Sequence, residues 1–80
     1  MRELFEYTLK KIPFKFERVF YNVEDLYYHI GFDNNGKVEI FRMKKDEEGM
    51  WKIQAQVLPL WIHEMELELN DVIRVNETSI

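Results

Sequence analysis

The sequence predicts an α+β domain in which an antiparallel sheet carries one amphipathic helix on its face. Two observations support this class: short runs of alternating apolar residues separated by turn residues, and a helical apolar stripe that follows Pro59. No repeat, linker or low-complexity stretch divides the 80 residues. We therefore expect a single domain over residues 1–80, with a four-stranded sheet and a C-terminal helix.

The centre of the predicted sheet is a three-strand meander over residues 25–57. Its first turn contains Asn34–Gly36, which fits a three-residue loop that ends on a left-handed glycine. This loop length pairs Ile30 with Ile40, so that apolar residues face each other across the two strands. The register therefore follows from the choice of loop.

The second turn is predicted as a four-residue loop over Asp46–Gly49, which pairs Lys44 with Trp51. Together the two registers divide the sheet into two faces. The predicted core face holds Leu26, Tyr28, Ile30, Phe32, Val38, Ile40, Trp51, Ile53, Ala55 and Val57, with Arg42 and Lys44 at one end. The opposite face is predicted to present Tyr27, His29, Phe41, Met43 and Gln54.

A fourth strand is predicted from Ile12 to about Tyr21, with Pro13 near its start because proline cannot donate to a ladder. Residues 1–12 fit two patterns. A helical wheel clusters Leu4, Phe5, Thr8, Leu9 and Ile12, which favours a helix, whereas Phe5, Tyr7 and Leu9 also alternate as in a strand. We expect an N-terminal helix and keep the strand as the alternative.

The C-terminal helix is predicted from its periodicity, and Pro59 suits its first turn. Seven apolar residues fall on one side of the helical wheel: Leu58, Trp61, Ile62, Met65, Leu69, Val72 and Ile73. Leu60 and Leu67 lie seven residues apart on the opposite side. These two leucines are a candidate contact with another helix.

Charge is distributed unevenly along the chain. Residues 1–57 hold 10 acids and 10 bases, and residues 58–80 hold 5 acids against Arg74, which accounts for the net charge of −4. Glu66 and Glu68 flank the apolar stripe of the helix. We expect them to approach Arg42 and Lys44 at the end of the core face, where exposed pairs contribute about 0–1 kcal/mol each.

The inventory of reactive side chains argues against catalysis. The chain has two histidines and no cysteine, and its only hydroxyls besides tyrosine are Thr8, Thr78 and Ser79. A zinc-protease helix would need a second histidine where Leu67 stands, and a calcium loop starting at Asp33 would need an acid in place of Lys44. We therefore predict no catalytic residues, no metal site and no cofactor.

Composition also restricts location and partners. No window approaches the roughly 18 apolar residues of a membrane span, and Glu3 and Glu6 stand where a signal peptide needs an apolar core. We expect a cytoplasmic protein without a membrane partner. Exposed aromatics on a sheet could stack nucleic-acid bases, but the pI of about 5.1 and the lack of a basic stripe argue against this partner.

The cover of the second sheet face decides the predicted function. Three covers are open: the helix over residues 1–12, a second copy of the chain, or a small molecule. We predict a non-enzymatic protein-association module that acts as a homodimer or an assembly subunit. The alternative is a small-ligand-binding domain that uses Tyr27, His29, Phe41 and Gln54.

Overall fold

The computed structural model describes residues 1–54 and 57–79 and contains five strands followed by two helical segments. The strands form one antiparallel sheet in chain order. The elements are β1 Leu4–Leu9, β2 Ile12–Asn22, β3 Asp25–Asn34, β4 Lys37–Lys45, β5 Trp51–Ile53, α1 Leu60–Glu64 and α2 Glu66–Thr78. The predicted α+β class, with an antiparallel sheet and a C-terminal helix, is confirmed.

The N-terminal segment is a strand, so the prediction of a helix over residues 1–12 is wrong and the sheet has five strands instead of four. A two-residue turn at Lys10 and Lys11, with φ of 51° and 66°, joins β1 to β2. Such left-handed pairs match the twist of a hairpin. The ring of Phe5 stacks on that of Phe16 at 4.8 Å, so β1 supplies part of the core.

The turn between β3 and β4 contains two residues and not the three that the sequence predicts. Asn34 pairs with Lys37, and the loop residues Asn35 and Gly36 have φ of 53° and 87°. Asparagine followed by glycine is the preferred pair for this turn, because both positions need positive φ. The register of β4 therefore differs by one residue from the prediction.

A slip of one residue exchanges the two faces of a strand. Ile30 pairs with Phe41 instead of Ile40. Phe41 and Met43 are 1% and 0% exposed in the core, so their predicted place on the second face is wrong. Val38 and Ile40, predicted as core residues, are 71% and 58% exposed.

The turn after β4 is also one residue longer than predicted, because Lys45 pairs with Trp51 and leaves residues 46–50 in the loop. The Asp46 carboxylate accepts hydrogen bonds from the backbone N–H groups of Glu48 and Met50, both at 2.9 Å. Trp51 lies in the core, as predicted. Val57 is almost fully exposed, contrary to its predicted core position, and Ala55 lies outside the described residues.

The predicted apolar stripe of the C-terminal helix is confirmed. Ile62, Met65, Leu69 and Ile73 are buried, and Leu58, Trp61 and Val72 pack against the core that they form with the sheet. Each such buried side chain contributes roughly 1.5–3 kcal/mol to stability. The helix is interrupted at Met65, which ends α1 and precedes α2.

Helix α2 bonds to residues on both sides of the sheet. On the β1 side it reaches the residues that flank the strand: Lys10 pairs with Glu68 at 3.3 Å, and the side-chain amide of Asn76 bonds the backbone of Arg2. On the β5 side, Asn70 and Glu66 bond the strand backbone.

Candidate functional site

The sheet face opposite the helix is called the outer face. Its members follow from the register and from alternation with the buried side chains. They are Leu4, Glu6, Thr8, Pro13, Lys15, Glu17, Val19, Tyr27, His29, Gly31, Asp33, Val38, Ile40, Arg42, Lys44 and Lys52. The segments α1 and α2 both pack on the other face, so among the described residues no helix covers this one.

An apolar patch occupies part of the outer face. Leu4 is 72% exposed, and Pro13, Val38 and Ile40 are exposed as well. A shallow groove of about 350 Å³ runs between these side chains. Gly31 lies in this groove, where its missing side chain leaves the space open. The patch is the kind of surface that commonly mediates association.

Of the five residues predicted for the second face, Tyr27 and His29 lie on the outer face. Tyr27 is only 6% exposed, because the Arg42 guanidinium lies 3.9 Å from its ring centre and the His29 ring packs beside it at 5.0 Å. His29 Nδ1 approaches the Glu17 carboxylate at 3.6 Å. Tyr27 is therefore covered by its neighbours and is not a free stacking platform.

A hollow of about 350 Å³ joins three of the predicted residues: His29, Phe41 and Gln54 line it together with Ile40 and Arg42. The ring of Phe41 belongs to the core, so the aromatic wall expected there is missing. Sequence reasoning missed Arg42 because the predicted register placed it on the core face. The lining of the hollow is therefore more polar than expected, because Arg42 is part of it and the ring of Phe41 is not available.

Charges on the outer face are distributed unevenly. Arg42, Lys44 and Lys52 lie on β4 and β5, whereas Glu6, Glu17 and Lys15 lie on β1 and β2. Lys44 also approaches Asp25 at 3.8 Å. The face therefore has a basic side at β4 and β5, and a side at β1 and β2 where two acids face outward beside one lysine.

The β5 edge of the sheet is closed by side chains of α2. The Trp51 N–H donates to Asn70 Oδ1 at 2.7 Å, and the Ile53 N–H donates to Glu66 Oε2 at 2.9 Å. Glu66 and Asn70 are four residues apart along the helix, a rise of about 6 Å, and Trp51 and Ile53 are two residues apart along the strand, a rise of about 6.6 Å. The two acceptors are therefore spaced like the two donors. The outward donors of β5 are thereby satisfied.

The β1 edge is arranged differently. The Arg18 N–H donates to the Glu3 carbonyl at 2.7 Å, and the alternation of an antiparallel ladder then turns the backbone groups of Leu4, Glu6 and Thr8 outward. Among the described residues no hydrogen bond reaches these outward groups. A groove of about 370 Å³ separates this strand from α2.

The groove beside β1 is largely apolar. Phe5, Tyr7 and Leu9 line one wall, and Val72, Val75, Glu68 and Asp71 are among the residues of the helix wall. This groove could not be predicted from the sequence, because residues 1–12 were expected to form a helix where β1 lies. The alternation of Phe5, Tyr7 and Leu9 was the signal that pointed to it.

A polar network joins the end of α2 to the sheet. The Arg18 guanidinium donates to Glu77 at 2.6 Å, the Tyr28 hydroxyl also donates to Glu77, and the Asn76 amide donates to the Tyr28 oxygen at 2.8 Å. Burial acts to raise the pKa of Glu77, but the hydrogen bonds from Arg18 and Tyr28 outweigh it, and the pKa is lowered. Burial raises the pKa of Tyr28. The network holds the helix on the sheet.

The acids of α2 find other partners than predicted. Glu66 approaches Lys52 at 3.5 Å, and Glu68 pairs with Lys10, instead of Arg42 and Lys44. The candidate helix contact also changes. Leu60 and Leu67 are both exposed, but the interruption at Met65 places them in separate segments.

The described residues contain no group of three or more histidines, acids or cysteines that could hold a metal ion. Within the same ranges, the helices are too short and too polar to cross a membrane. Comparison of the chain with protein-family models, curated proteins and solved structures found no match. The function is therefore inferred from the residues and their geometry.

Proposed function

We propose that the protein is a non-enzymatic association module that forms a homodimer through its outer face. The observation that carries the proposal is the apolar patch of Leu4, Pro13, Val38 and Ile40, which no described helix covers. Burying such a patch against a second copy removes apolar surface from water at roughly 25 cal/mol per Å².

The charge pattern supports a two-fold contact. A two-fold axis that runs between the sheets and parallel to the strands places β1 and β2 of one copy opposite β4 and β5 of the other. A rotation about this axis keeps each residue at its level along the strands, and Glu17 shares a row of the sheet with Arg42 through His29. The arrangement therefore sets Glu17 against Arg42 of the second copy. Opposite charges then meet at both sides of the contact.

The replacement of Val38 by glutamate tests this proposal. We expect wild-type protein to show twice the 9.9 kDa chain mass in light scattering at tens of micromolar. The variant V38E should be a folded monomer, because the buried patch would then hold an unpaired charge. Val38 is 71% exposed within its own chain, so the fold should tolerate the change.

The matched control is V23E, which places the same charge on an exposed valine in the turn between β2 and β3. It should remain a dimer. A wild-type monomer at these concentrations, or a V38E dimer of unchanged affinity, contradicts the proposal.

A small-ligand function is a second candidate, favoured by the hollow that His29, Arg42 and Gln54 line. The cationic side chain of Arg42 suits a small anion. Thermal unfolding with inorganic phosphate and with small carboxylates would test it, since a ligand of the folded state raises the midpoint. A shift that R42A abolishes supports this candidate, and the absence of any shift at millimolar concentrations rejects it.

A further inference from the structure

The two edges of the sheet differ in whether another strand can join them. At β5, side chains of α2 occupy the outward N–H groups of Trp51 and Ile53. At β1, the outward groups of Leu4, Glu6 and Thr8 face a groove. An unpaired strand edge beside a groove is the geometry in which proteins bind extended peptides.

We propose that the β1 edge binds an extended segment of another protein as a sixth strand, and that this segment alternates apolar residues and carries lysine or arginine. The proposal uses the backbone edge of β1, whereas the homodimer uses side chains of the outer face, so it goes beyond the homodimer. Backbone pairing with Leu4, Glu6 and Thr8 supplies affinity, and the groove between β1 and α2 selects the side chains.

One position on this edge already has the hydrogen bonds of an added strand. The Arg2 N–H donates to Asn76 Oδ1, and Asn76 Nδ2 donates to the Arg2 carbonyl, both at 2.9 Å. A neighbouring antiparallel strand makes the same two bonds with the C=O and N–H of one residue. The Asn76 amide thus occupies the outward backbone groups of Arg2. The outward groups of Leu4, Glu6 and Thr8 remain available to a partner strand.

The groove determines which side chains fit. Every second side chain of an added strand points to the helix side, where Phe5, Tyr7 and Leu9 meet Val72 and Val75. These walls are apolar, so aliphatic or aromatic residues fit at alternate positions. A strand of six residues, such as β1 itself, offers space for about three of them.

The charges that line the groove differ along its length. Arg2 and the Met1 amino group lie at the end where Asn76 bonds Arg2, and Asp71 lies nearer the end where Glu68 pairs with Lys10. The part of the groove beside Asp71 favours a basic residue in the partner.

Three acids of α2 already have cations of the sheet beside them: Glu66 has Lys52, Glu68 has Lys10 and Glu77 has Arg18. Asp71 lines the groove, and no lysine or arginine in the described ranges lies within 4.0 Å of it. Glu6 adds a second acid on the outer side of β1. A lysine or arginine in the segment would complement both.

The test begins with a random nine-residue peptide library displayed on phage and selected on the wild-type protein. Enriched peptides are synthesised, and their affinities are measured by fluorescence anisotropy for wild type, E6P and E6A. Glu6 lies opposite Lys15 at a position whose N–H points outward, so a proline there removes no bond to β2. Both variants lack the carboxylate, so their difference reports the loss of the outward N–H together with the proline ring that replaces it.

We expect the enriched peptides to alternate apolar residues with lysine or arginine, and to bind E6P at least tenfold more weakly than E6A. D71K should weaken binding at least threefold. V38E should bind as wild type, which separates this proposal from the homodimer. Hydrogen exchange on the wild-type complex provides a readout that does not depend on whether E6P folds: the amides of Leu4, Glu6 and Thr8 should be protected on binding.

Three results would overturn the proposal. The first is a selection that yields no sequence above background, the second is equal affinity for E6P and E6A when both fold, and the third is protection confined to amides outside β1. Enrichment of acidic peptides would likewise contradict the predicted charge of the partner.

Discussion

The two edge strands of the sheet lie on either side of the same helix, yet its side chains close β5 and leave β1 open. On the β5 side α2 presents oxygen acceptors, Asn70 and Glu66, one helical turn apart. On the β1 side Asn76 of the same helix bonds Arg2, and a groove lined by Val72, Val75 and Asp71 separates the helix from the rest of the strand edge. The difference shows that a few side chains on one helix decide which edge of a sheet can accept another strand.

The largest expected effect comes from removing the acceptor at the closed edge. In N70A the Trp51 N–H loses its partner at a site where Asn70 itself is 1% exposed. An unsatisfied buried donor costs about 2 kcal/mol, and urea denaturation should show this loss. Faster hydrogen exchange at the Trp51 amide would locate the effect on β5.

The control for this substitution is R74A, because Arg74 is an exposed residue of the same helix, one turn beyond Asn70. Its free energy of unfolding should stay within about 0.5 kcal/mol of wild type. If N70A and R74A were equally stable, the asparagine would not be what closes the β5 edge.

A smaller effect is expected at the other end of α2. E77Q keeps the shape of the side chain but replaces charged hydrogen bonds to Arg18 and Tyr28 with neutral ones, which costs about 1 kcal/mol at neutral pH. Asn76 is adjacent to Glu77 and bonds Arg2, so exchange of the Arg2 amide should rise more than exchange at β5.

The same variant should change the response to acid. The pKa of Glu77 is lowered in the folded protein from an ordinary value of 4.5, so its stabilisation is present above that pH and is lost as the pH falls through the folded pKa. Denaturation curves of wild type and E77Q should therefore converge in acid. A difference that stays constant down to pH 2 would contradict the role of the charge.

Long patterns were predictable from the sequence. The stripe of seven apolar residues over four turns of helix agrees with the buried side of α1 and α2. Strand β2 agrees with the predicted run from Ile12, because eleven residues are enough to establish alternation. In the helix and in the strand alike, many apolar positions repeat at one spacing, so the type of element could be identified.

Strand β1 was missed because a run of six residues is too short to distinguish the helical period of 3.6 residues from the strand period of two. Phe5 and Leu9 fit a strand face and a helix face equally well. The turn that follows contains Lys10 and Lys11, neither of which signals a left-handed conformation, whereas Asn35 and Gly36 do so in the next hairpin turn. The groove beside β1 depends on this strand and could not be predicted without it.

The register of β4 could not be decided from periodicity either. Val38 and Ile40 lie on one face of the strand and Phe41 and Met43 on the other, so both faces contain apolar residues. The larger side chains fill the core, and the β-branched ones remain outside. The predicted outer-face site failed at Phe41 and Met43 for this reason alone.

The order of the strands has a consequence for how the chain folds. Each strand pairs with the next one along the chain through loops of two to five residues, which are quick to close. The contact between Arg18 and Glu77 spans 59 residues, so docking of α2 requires the longest loop. If the sheet forms before α2 docks, both of its edges are bare until that step, and docking of the helix then closes β5 to pairing with another molecule.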